Sequence, residues 1–310
     1  MKNRCLLLCL GALLILSLTG CVDQHPENQP GTTGVSADME NPKIAATSVA
    51  VMQICEKLDL DLVGVPDSDL TEIPERYADA VSLGSPMSPD LEILSQLQPD
   101  WVLSPSSLMS DLKPKYEAAG LSYAFLNLKS VQGMFKSIEE MGTLFHREEQ
   151  AQALVQEFEE YRALFQQKKK DAASPRVLIL MGLPGSYVVA TENSYVGSLV
   201  ELAGGINVYA GTEDEFLNVN TEDMLNKDPD IILRTAHAMP DSVMEMFAEE
   251  FETNDIWKHF RAVESGQVYD LSYSDFGMSA NFNYQRALDT LEELLYADGL
   301  NLSSDSQTGV

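Results

Sequence analysis

The stretch EILSQLQPDWVL, residues 92–103, decides the fold of this 310-residue chain. Its pattern predicts a short helix, a turn at Pro99 and Asp100, and then a buried apolar strand. A second stretch, EDMLNKDPDIIL at residues 222–233, repeats the plan: a glutamate lies seven residues before Pro-Asp, and an apolar strand follows. One such unit in each half of the chain indicates two similar lobes. A chance match is the alternative, because a helix, turn and strand around Pro-Asp is a common arrangement.

Both predicted helices have a candidate N-terminal cap. Ser88 followed by Pro89 suits a cap residue with proline at the first helical position, and Asn220 precedes the second helix.

Strands and helices alternate in the rest of the chain. A strand at residues 44–46 is followed by a helix at 48–58 and a strand at 62–65, and a new strand begins at Val177. Short apolar strands that alternate with amphipathic helices are typical of parallel α/β units. Residues 147–170 contain no Gly or Pro and have one apolar side, so they predict a single long helix.

These patterns predict an α/β fold of two Rossmann-like lobes joined by one long helix. The predicted segments are a signal peptide at 1–20, a lipidated cysteine and flexible tether at 21–42, an N-terminal lobe at 43–145, the linking helix at 146–172, a C-terminal lobe at 173–300 and a disordered tail at 301–310.

The N-terminus has the pattern of an export signal. Lys2 and Arg4 precede a short apolar run, and Leu18-Thr19-Gly20-Cys21 follows it. A Leu-x-Gly-Cys box resembles the site at which bacteria attach a diacylglycerol to cysteine, so we expect a lipoprotein whose anchor, palmitate among its acyl chains, sits on Cys21. An ordinary signal with a chance cysteine is the alternative. Cys55, in an apolar run, is predicted to be a buried free thiol.

Composition narrows the function classes. The chain has 48 acidic and 20 basic residues and a formal net charge of −28, which disfavours binding to nucleic acid or to anionic lipid headgroups. No phosphate-binding loop, nucleophile elbow or His-Glu-x-x-His motif occurs. We therefore expect a binding protein rather than an enzyme.

Four histidines are present. His25 lies in the predicted tether, His146 is expected to be exposed at the start of the long helix, and His259 is expected to be structural beside two aromatic residues. His237 is different, because it follows the predicted strand at residues 231–233 by four positions. Parallel α/β sheets bind ligands at the carboxyl ends of their strands. Taken alone, His237 is better explained as an ordinary loop histidine than as a ligand.

Met87 lies between two prolines, next to the predicted helix cap. A turn there would hold its side chain near the surface rather than in the core. A packing or lid methionine is the ordinary interpretation of such a residue.

Four segments resemble the heme-binding lipoproteins of the Gram-positive iron-regulated surface determinant system. They are GSPMSPD at 84–90, MGLPGSYVVATENSYVG at 181–197, HAMPD at 237–241 and TNDIWKHFRAV at 253–263. The resemblance extends from about Ile44 to about Tyr296. It implies the class III fold of solute-binding proteins, in which a long helix joins two α/β lobes.

The resemblance also implies a function and its residues. The methionine matching Met87 and the histidine matching His237 are axial heme-iron ligands in that family, one from each lobe. Glu92 and Glu222 match glutamates that dock on an ABC permease, which works with an ATPase. We therefore expect a monomer anchored by lipid at the outer face of the cell membrane. It would take heme, with upstream surface heme-relay proteins as candidate donors.

The chemistry of the two ligands agrees with that expectation. A thioether is a soft ligand that suits heme iron and is poor for free ferric ion, which favours oxygen ligands. A zinc or manganese site would require more histidines than this chain offers. We expect Val49 or Phe276 to contact the porphyrin, and the amides that begin the helix after Ser48 to receive a propionate. The loop that contains Asp67 and Asp69 is more acidic than the corresponding loop of the family it resembles. The family's propionate contacts are therefore not carried over to this chain. A siderophore or cobalamin carrier of the same fold is the alternative.

Overall fold

A computed structural model describes residues 41–68, 71–167 and 173–296, all within one compact unit. The predicted signal peptide, Cys21, nearly all of the tether, residues 168–172 of the linking helix, Asp69 and the tail at 301–310 lie outside the described residues. Within the described ranges, no helix combines the length and apolar character needed to cross a bilayer.

The N-terminal lobe is built on a five-stranded sheet in which every strand pairs in parallel, in the order β3-β2-β1-β4-β5. Its strands and helices are β1 (Ile44–Ala46), α1 (Val49–Lys57), β2 (Leu62–Val65), β3 (Val81–Ser82), α2 (Leu91–Leu97), β4 (Trp101–Pro105), α3 (Met109–Ala118), β5 (Tyr123–Leu126) and α4 (Val131–Leu144). Single 3₁₀ turns occur at Glu75–Tyr77 and Ser106–Leu108.

One long helix, α5 (Glu148–Gln167), connects this lobe to the next. At 1.5 Å per residue its 20 described residues span about 30 Å. The predicted start of the helix at residue 146 is wrong. His146 has a φ of +55°, a left-handed conformation that separates α4 from α5, and the helix begins two residues later. Its exposed side chain is as predicted.

The C-terminal lobe has a mixed six-stranded sheet. Strands β11, β10 and β6 are parallel, β7 runs antiparallel to β6, β9 antiparallel to β7, and β8 pairs with the start of β6. Its elements are β6 (Arg176–Leu183), β7 (Ser186–Ala190), α6 (Tyr195–Leu202), β8 (Ile206–Asn207), β9 (Phe216–Leu217), α7 (Thr221–Asn226), β10 (Ile231–Ala236), α8 (Pro240–Thr253), a 3₁₀ turn at Asp255–His259, α9 (Arg261–Glu264), β11 (Val268–Asp270), α10 (Tyr273–Phe276) and α11 (Tyr284–Leu295). The predicted class of two α/β lobes joined by one long helix is confirmed.

Both repeated units fold as the sequence predicts, and one cap differs. Asn220 caps α7 by accepting a hydrogen bond from the amide of Asp223. Helix α2 is capped by Asp90, whose carboxylate accepts from the amides of Glu92 and Ile93. The prediction of Ser88 as cap and Pro89 as first helical residue is therefore wrong. A carboxylate two residues later can reach two first-turn amides at once and also complements the helix dipole.

The lobes share one hydrophobic cluster that runs from Ile44 to Leu295 and includes residues of α5. At its centre the ring of Phe135 on α4 stacks on Phe158 of α5 with centroids 4.4 Å apart, and both rings contact Tyr284 of α11 edge-on. The linking helix is therefore packed against both lobes rather than standing free between them.

Polar contacts join the lobes beside this cluster. The amide of Ala280 donates to the carbonyl of Leu128 at 2.8 Å, and Lys129 forms an ion pair with Glu215. Leu128 follows the carboxyl end of β5, and Ala280 follows β11 and α10. Segments that follow the carboxyl ends of β5 and β11 therefore contact each other across the lobes, and the carboxyl ends of parallel strands are where α/β folds place ligands.

Candidate functional site

Met87 occupies the corner of a tight turn that leads from β3 into α2. The carbonyl of Ser85 accepts from the amide of Ser88 at 3.0 Å, which places Pro86 and Met87 at the two central positions of a β-turn. The turn is tied down after the corner, because the amide of Asp90 donates to the carbonyl of Leu83 at 2.8 Å. The position of Met87 is thus set by backbone hydrogen bonds and by the fixed φ of proline.

The side chain of Met87 projects from this turn and is 54% exposed. It belongs to none of the hydrophobic clusters of the described residues. An exposed thioether on a rigid backbone can meet a ligand without displacing any core packing.

His237 follows β10 directly, because the strand continues to Ala236 rather than ending at Leu233 as the sequence suggested. Its amide donates to the carbonyl of Gly182 on β6 at 2.8 Å and extends the ladder between the two strands. Two residues earlier, the hydroxyl of Thr235 donates to the carbonyl of Phe276 at 2.5 Å. The histidine is therefore held at the carboxyl end of a central strand. It lies two residues after the contact between Thr235 of β10 and Phe276 of α10.

The imidazole of His237 is half-buried, and its Nδ1 is enclosed without a hydrogen-bond partner among the described residues. Burial lowers the pKa of His237 below its ordinary value of 6.5. The ring is consequently neutral at pH 7 and keeps a lone pair. With Nδ1 enclosed, Nε2 is the nitrogen that a ligand can reach.

Helix α8 is seated against β6 by a glycine. A Cβ at Gly182 would lie 2.2 Å from Cγ1 of Val243 and 2.8 Å from Cε2 of Phe247. Helix α8 begins at Pro240, and the preceding Met239 has a φ of +48°. Because the close approach at Gly182 fixes α8, it also fixes the short segment between β10 and α8 that carries His237.

The start of α1 lies at the carboxyl end of β1. The hydroxyl of Ser48 accepts from the amide of Val51 at 3.3 Å, as expected of a cap, and Val49 is partly buried. Phe276 was the other predicted porphyrin contact. This prediction is wrong, because Phe276 is 1% exposed and packs in the hydrophobic cluster that the two lobes share. The carboxylate of the neighbouring Asp275 is mostly buried and forms an ion pair with Arg286.

A buried chain of hydroxyl groups supports α1 from below, and the sequence analysis missed it. Thr47 and Ser104, just past β1 and near the end of β4, have their oxygen atoms 2.8 Å apart, and Ser104 lies 3.0 Å from the hydroxyl of Tyr116. Hydroxyl residues directly after an apolar strand were the available signal. The chain fixes the ends of two adjacent strands beneath the α1 N-terminus.

The acidic loop after β2 has one described carboxylate. Asp67 is exposed, and its carboxylate accepts a hydrogen bond from the hydroxyl of Ser82. A cavity of about 270 Å³ lies beside it, with Val65, Tyr77 and Ser82 among its lining residues. One of the two carboxylates expected at this end of β2 is therefore exposed beside this cavity.

The two repeated glutamates are placed alike. Glu92 is in the first turn of α2, Glu222 is in the first turn of α7, and both side chains are exposed. Each lobe therefore presents one carboxylate at an equivalent position of its fold.

The remaining thiol and histidine predictions have mixed outcomes. Cys55 is fully buried and free as predicted, and burial raises the pKa of its thiol to about 12. His259 is exposed at the end of a 3₁₀ turn, so its predicted packing role is wrong; Trp257 and Phe260 fill the core there. Among the described residues no group of three or more His, Cys, Asp or Glu side chains could hold a metal ion.

Two α/β lobes joined by one long helix are the architecture of the class III solute-binding proteins. The chain belongs to the periplasmic binding protein family, whose sequence profile matches residues 44–273.

Individual relatives narrow the comparison. The chain is 43% identical over 257 residues to the high-affinity heme uptake system protein IsdE of Staphylococcus aureus strain Newman, a match that covers 83% of this chain and 88% of that protein. The structure of S. aureus IsdE complexed with heme superposes with a TM-score of 0.79 at 42% identity, covering 83% of this chain and 99% of that one. The resemblance derived from the four sequence segments is confirmed.

Two further solved structures are similar to this chain, one at high and one at low sequence identity. An ABC transporter substrate-binding protein from Listeria monocytogenes EGD-e matches with a TM-score of 0.79 at 48% identity, over 83% of this chain and all of that one. The siderophore-binding protein FeuA of Bacillus subtilis, complexed with ferri-bacillibactin, has a TM-score of 0.66 at 21% identity and covers 83% of this chain and 93% of its own. The latter likeness concerns the fold alone.

Proposed function

We propose that this protein captures heme between its lobes and delivers it to an ABC permease. Met87 and His237 bind the iron from opposite faces of the porphyrin. The observation that carries the proposal is the matched placement of these two side chains. Each side chain lies past the carboxyl end of a strand, and the two lie on different lobes. The chain is 43% identical in sequence to a heme uptake protein.

The state of each side chain supports its role. The thioether of Met87 is exposed on a rigid turn and needs no deprotonation to bind iron. The imidazole of His237 is neutral, and its enclosed Nδ1 leaves Nε2 for the metal. A Met/His pair is an established kind of heme ligation, and a neutral soft sulfur favours heme iron over hard metal ions.

Delivery and location complete the proposal. The exposed carboxylates of Glu92 and Glu222, one on each lobe, dock on basic side chains of the permease, which works with an ATPase. A diacylglycerol on Cys21 holds the protein as a monomer at the outer face of the cell membrane. A surface heme-relay protein is the proposed donor.

The proposal is tested by titrating the purified folded body, starting at residue 37, with heme and recording the absorption spectrum. We expect a six-coordinate low-spin spectrum that is altered by Met87→Ala and by His237→Ala. Met109→Ala and His259→Ala are matched controls, because both residues are exposed and neither is a proposed ligand. If both ligand variants keep the parent spectrum, the ligand assignment is wrong.

Parallel titrations with a ferric siderophore and with cobalamin separate the alternatives of the same fold. Saturable binding of either one, together with no binding of heme, would overturn the proposed cargo. Incubation of the heme complex with an electron donor tests for heme degradation or reduction, and the proposal requires the heme to be recovered intact.

A further inference from the structure

The large apolar side chains left exposed on this protein include an unusual share of methionines. Six such side chains are exposed among the described residues, and three are methionines: Met87 at 54%, Met109 at 40% and Met239 at 60%. The other three are Val81, Leu164 and Ile206. A thioether differs from these aliphatic groups in one chemical respect, because it is readily oxidised.

Five of the eleven described methionines are protected from solvent. Met52, Met134 and Met224 are fully buried, and Met141 and Met181 are nearly so. Met244, Met246 and Met278 are partly exposed, so the exposed and the buried methionines are the two ends of a range of access to a dissolved oxidant. The buried residues are internal standards for any measurement of the exposed ones.

Met87 differs from the other two exposed methionines in its proposed role as an iron ligand. The Ser85–Ser88 turn holds its sulfur outward, and no neighbouring apolar cluster covers it. The exposure that leaves the sulfur free for iron also leaves it free for a small oxidant. In the cargo-bound protein the iron would bind this sulfur and shield it from the oxidant.

We propose that Met87 is a site of reversible oxidation by hydrogen peroxide and that its oxidation weakens heme binding to the level of a protein without this ligand. One oxygen atom of the peroxide is transferred to Sδ of Met87. A sulfur–oxygen bond forms, the oxygen–oxygen bond breaks, sulfur loses two electrons and the peroxide is reduced to water. This inference rests on the proposed function, because the consequence requires Met87 to be an iron ligand.

The consequence follows from the change in the side chain. A sulfoxide is polar and chiral, and its sulfur has less electron density to donate to heme iron than a thioether sulfur. The soft ligand of the N-terminal lobe is lost while His237 is unchanged. Oxidised protein should therefore have the spectrum and affinity of Met87→Ala, and not those of an unfolded chain.

The first arm of the test follows oxidation itself and needs no heme. Heme-free protein is treated with hydrogen peroxide, the reaction is stopped with catalase, and each methionine is followed by peptide mass mapping. We expect Met87 to be oxidised severalfold faster than Met52, Met134 and Met224. If Met87 is oxidised no faster than these buried residues, the proposal is wrong.

The second arm measures heme binding after catalase treatment. The treated parent should lose the low-spin spectrum, and methionine sulfoxide reductases A and B together should restore it. The double variant Met109→Leu/Met239→Leu should remain peroxide-sensitive, because it retains Met87. Met87→Leu should bind heme equally before and after peroxide. Further loss in Met87→Leu, or full binding by parent protein oxidised at Met87, would overturn the switch.

The two proposals fail differently. If the untreated parent binds no heme, or binds it without Met87, the proposed function is wrong and the switch has no cargo to control. If the untreated parent binds heme through Met87 and binding survives complete oxidation of that residue, only the switch is wrong.

Discussion

The ammonium group of Lys129 lies 2.7 Å from Oε2 of Glu215, and this ion pair crosses from the N-terminal to the C-terminal lobe. The glutamate side chain is only 14% exposed, and its Oε1 is enclosed without a hydrogen-bond partner among the described residues. A mostly buried carboxylate thus depends on a cation from the opposite lobe.

Removing that cation should destabilise the protein. Lys129→Ala leaves the Glu215 carboxylate without its cation, and we expect a loss of about 1–3 kcal/mol in the free energy of unfolding. Lys136→Ala is the control, because its pair with Glu139 is exposed and should contribute less than about 0.5 kcal/mol. Chemical denaturation measures both variants. Equal stability of the two variants would refute a structural role for the interlobe pair.

The pKa of His237 gives a pH prediction. Because burial lowers this pKa in the folded state below 6.5, the unfolded chain binds the proton first as the pH falls. The heme-free protein should therefore lose stability as the pH falls below 6.5, and His237→Gln should flatten the dependence between about pH 7 and about pH 5.5. Thermal unfolding across this range measures the effect, and His259→Gln serves as the exposed control. A parent and His237→Gln variant with parallel curves would contradict it.

Heme affinity should follow the same group. Protonated imidazole cannot bind iron, so affinity should fall with acidification only below the ordinary histidine pKa. Heme titrations at a series of pH values, compared with His237→Gln, measure this. A loss of affinity centred well above 6.5 would indicate that another group controls binding.

Gly182 should be intolerant of a side chain. The added methyl group of Gly182→Ala would meet Val243, whose β-branched side chain is stiff, and the rigid ring of Phe247. We expect a destabilisation of about 1–3 kcal/mol and weaker heme binding, because α8 and the segment carrying His237 must shift. Gly64→Ala is the control, because it meets only the flexible end of Leu83. Denaturation and heme titration of both variants decide the matter.

The docking glutamates should affect transport without affecting binding. Glu92→Lys and Glu222→Lys change exposed side chains in the first turn of a helix, so each should cost at most about 1 kcal/mol of stability and leave the heme spectrum unchanged. Each should slow heme uptake into proteoliposomes that contain the cognate permease and ATPase, because a repulsive charge replaces an attractive one. Glu252→Lys, exposed on α8, is the matched control. Uptake equal to that of the control would show that these two carboxylates do not dock.

Much of the fold was predictable because burial leaves a clear pattern in short elements. Strands β1 and β2 and helix α1 lie where the apolar runs put them, to within one residue. The N-terminal cap of α2 could not be predicted, because Ser88 and Asp90 are both good capping residues. The choice depends on which side chain reaches the first-turn amides once the turn at Met87 has set the chain direction.

The candidate ligands were proposed from the family resemblance, and the residues that support them could not be predicted. His237 follows a predicted strand and Met87 lies between two prolines, but neither position by itself distinguishes a ligand from an ordinary loop residue. The partner of Lys129 could not be found in the sequence, because ion pairs between distant segments leave no periodic signal in an acidic chain. The close approach at Gly182 was hidden for a similar reason, since a strand glycine does not reveal which helix covers it.

The packed rings of Phe135, Phe158 and Tyr284 limit how far the two lobes can move apart. Bending the lobes apart would separate aromatic contacts that join three different helices, at a cost that grows with the angle. Under the proposed function, the lobes would therefore form a slot with nearly fixed walls. Heme would enter and leave this slot by making and breaking its two iron bonds, without a large closing motion.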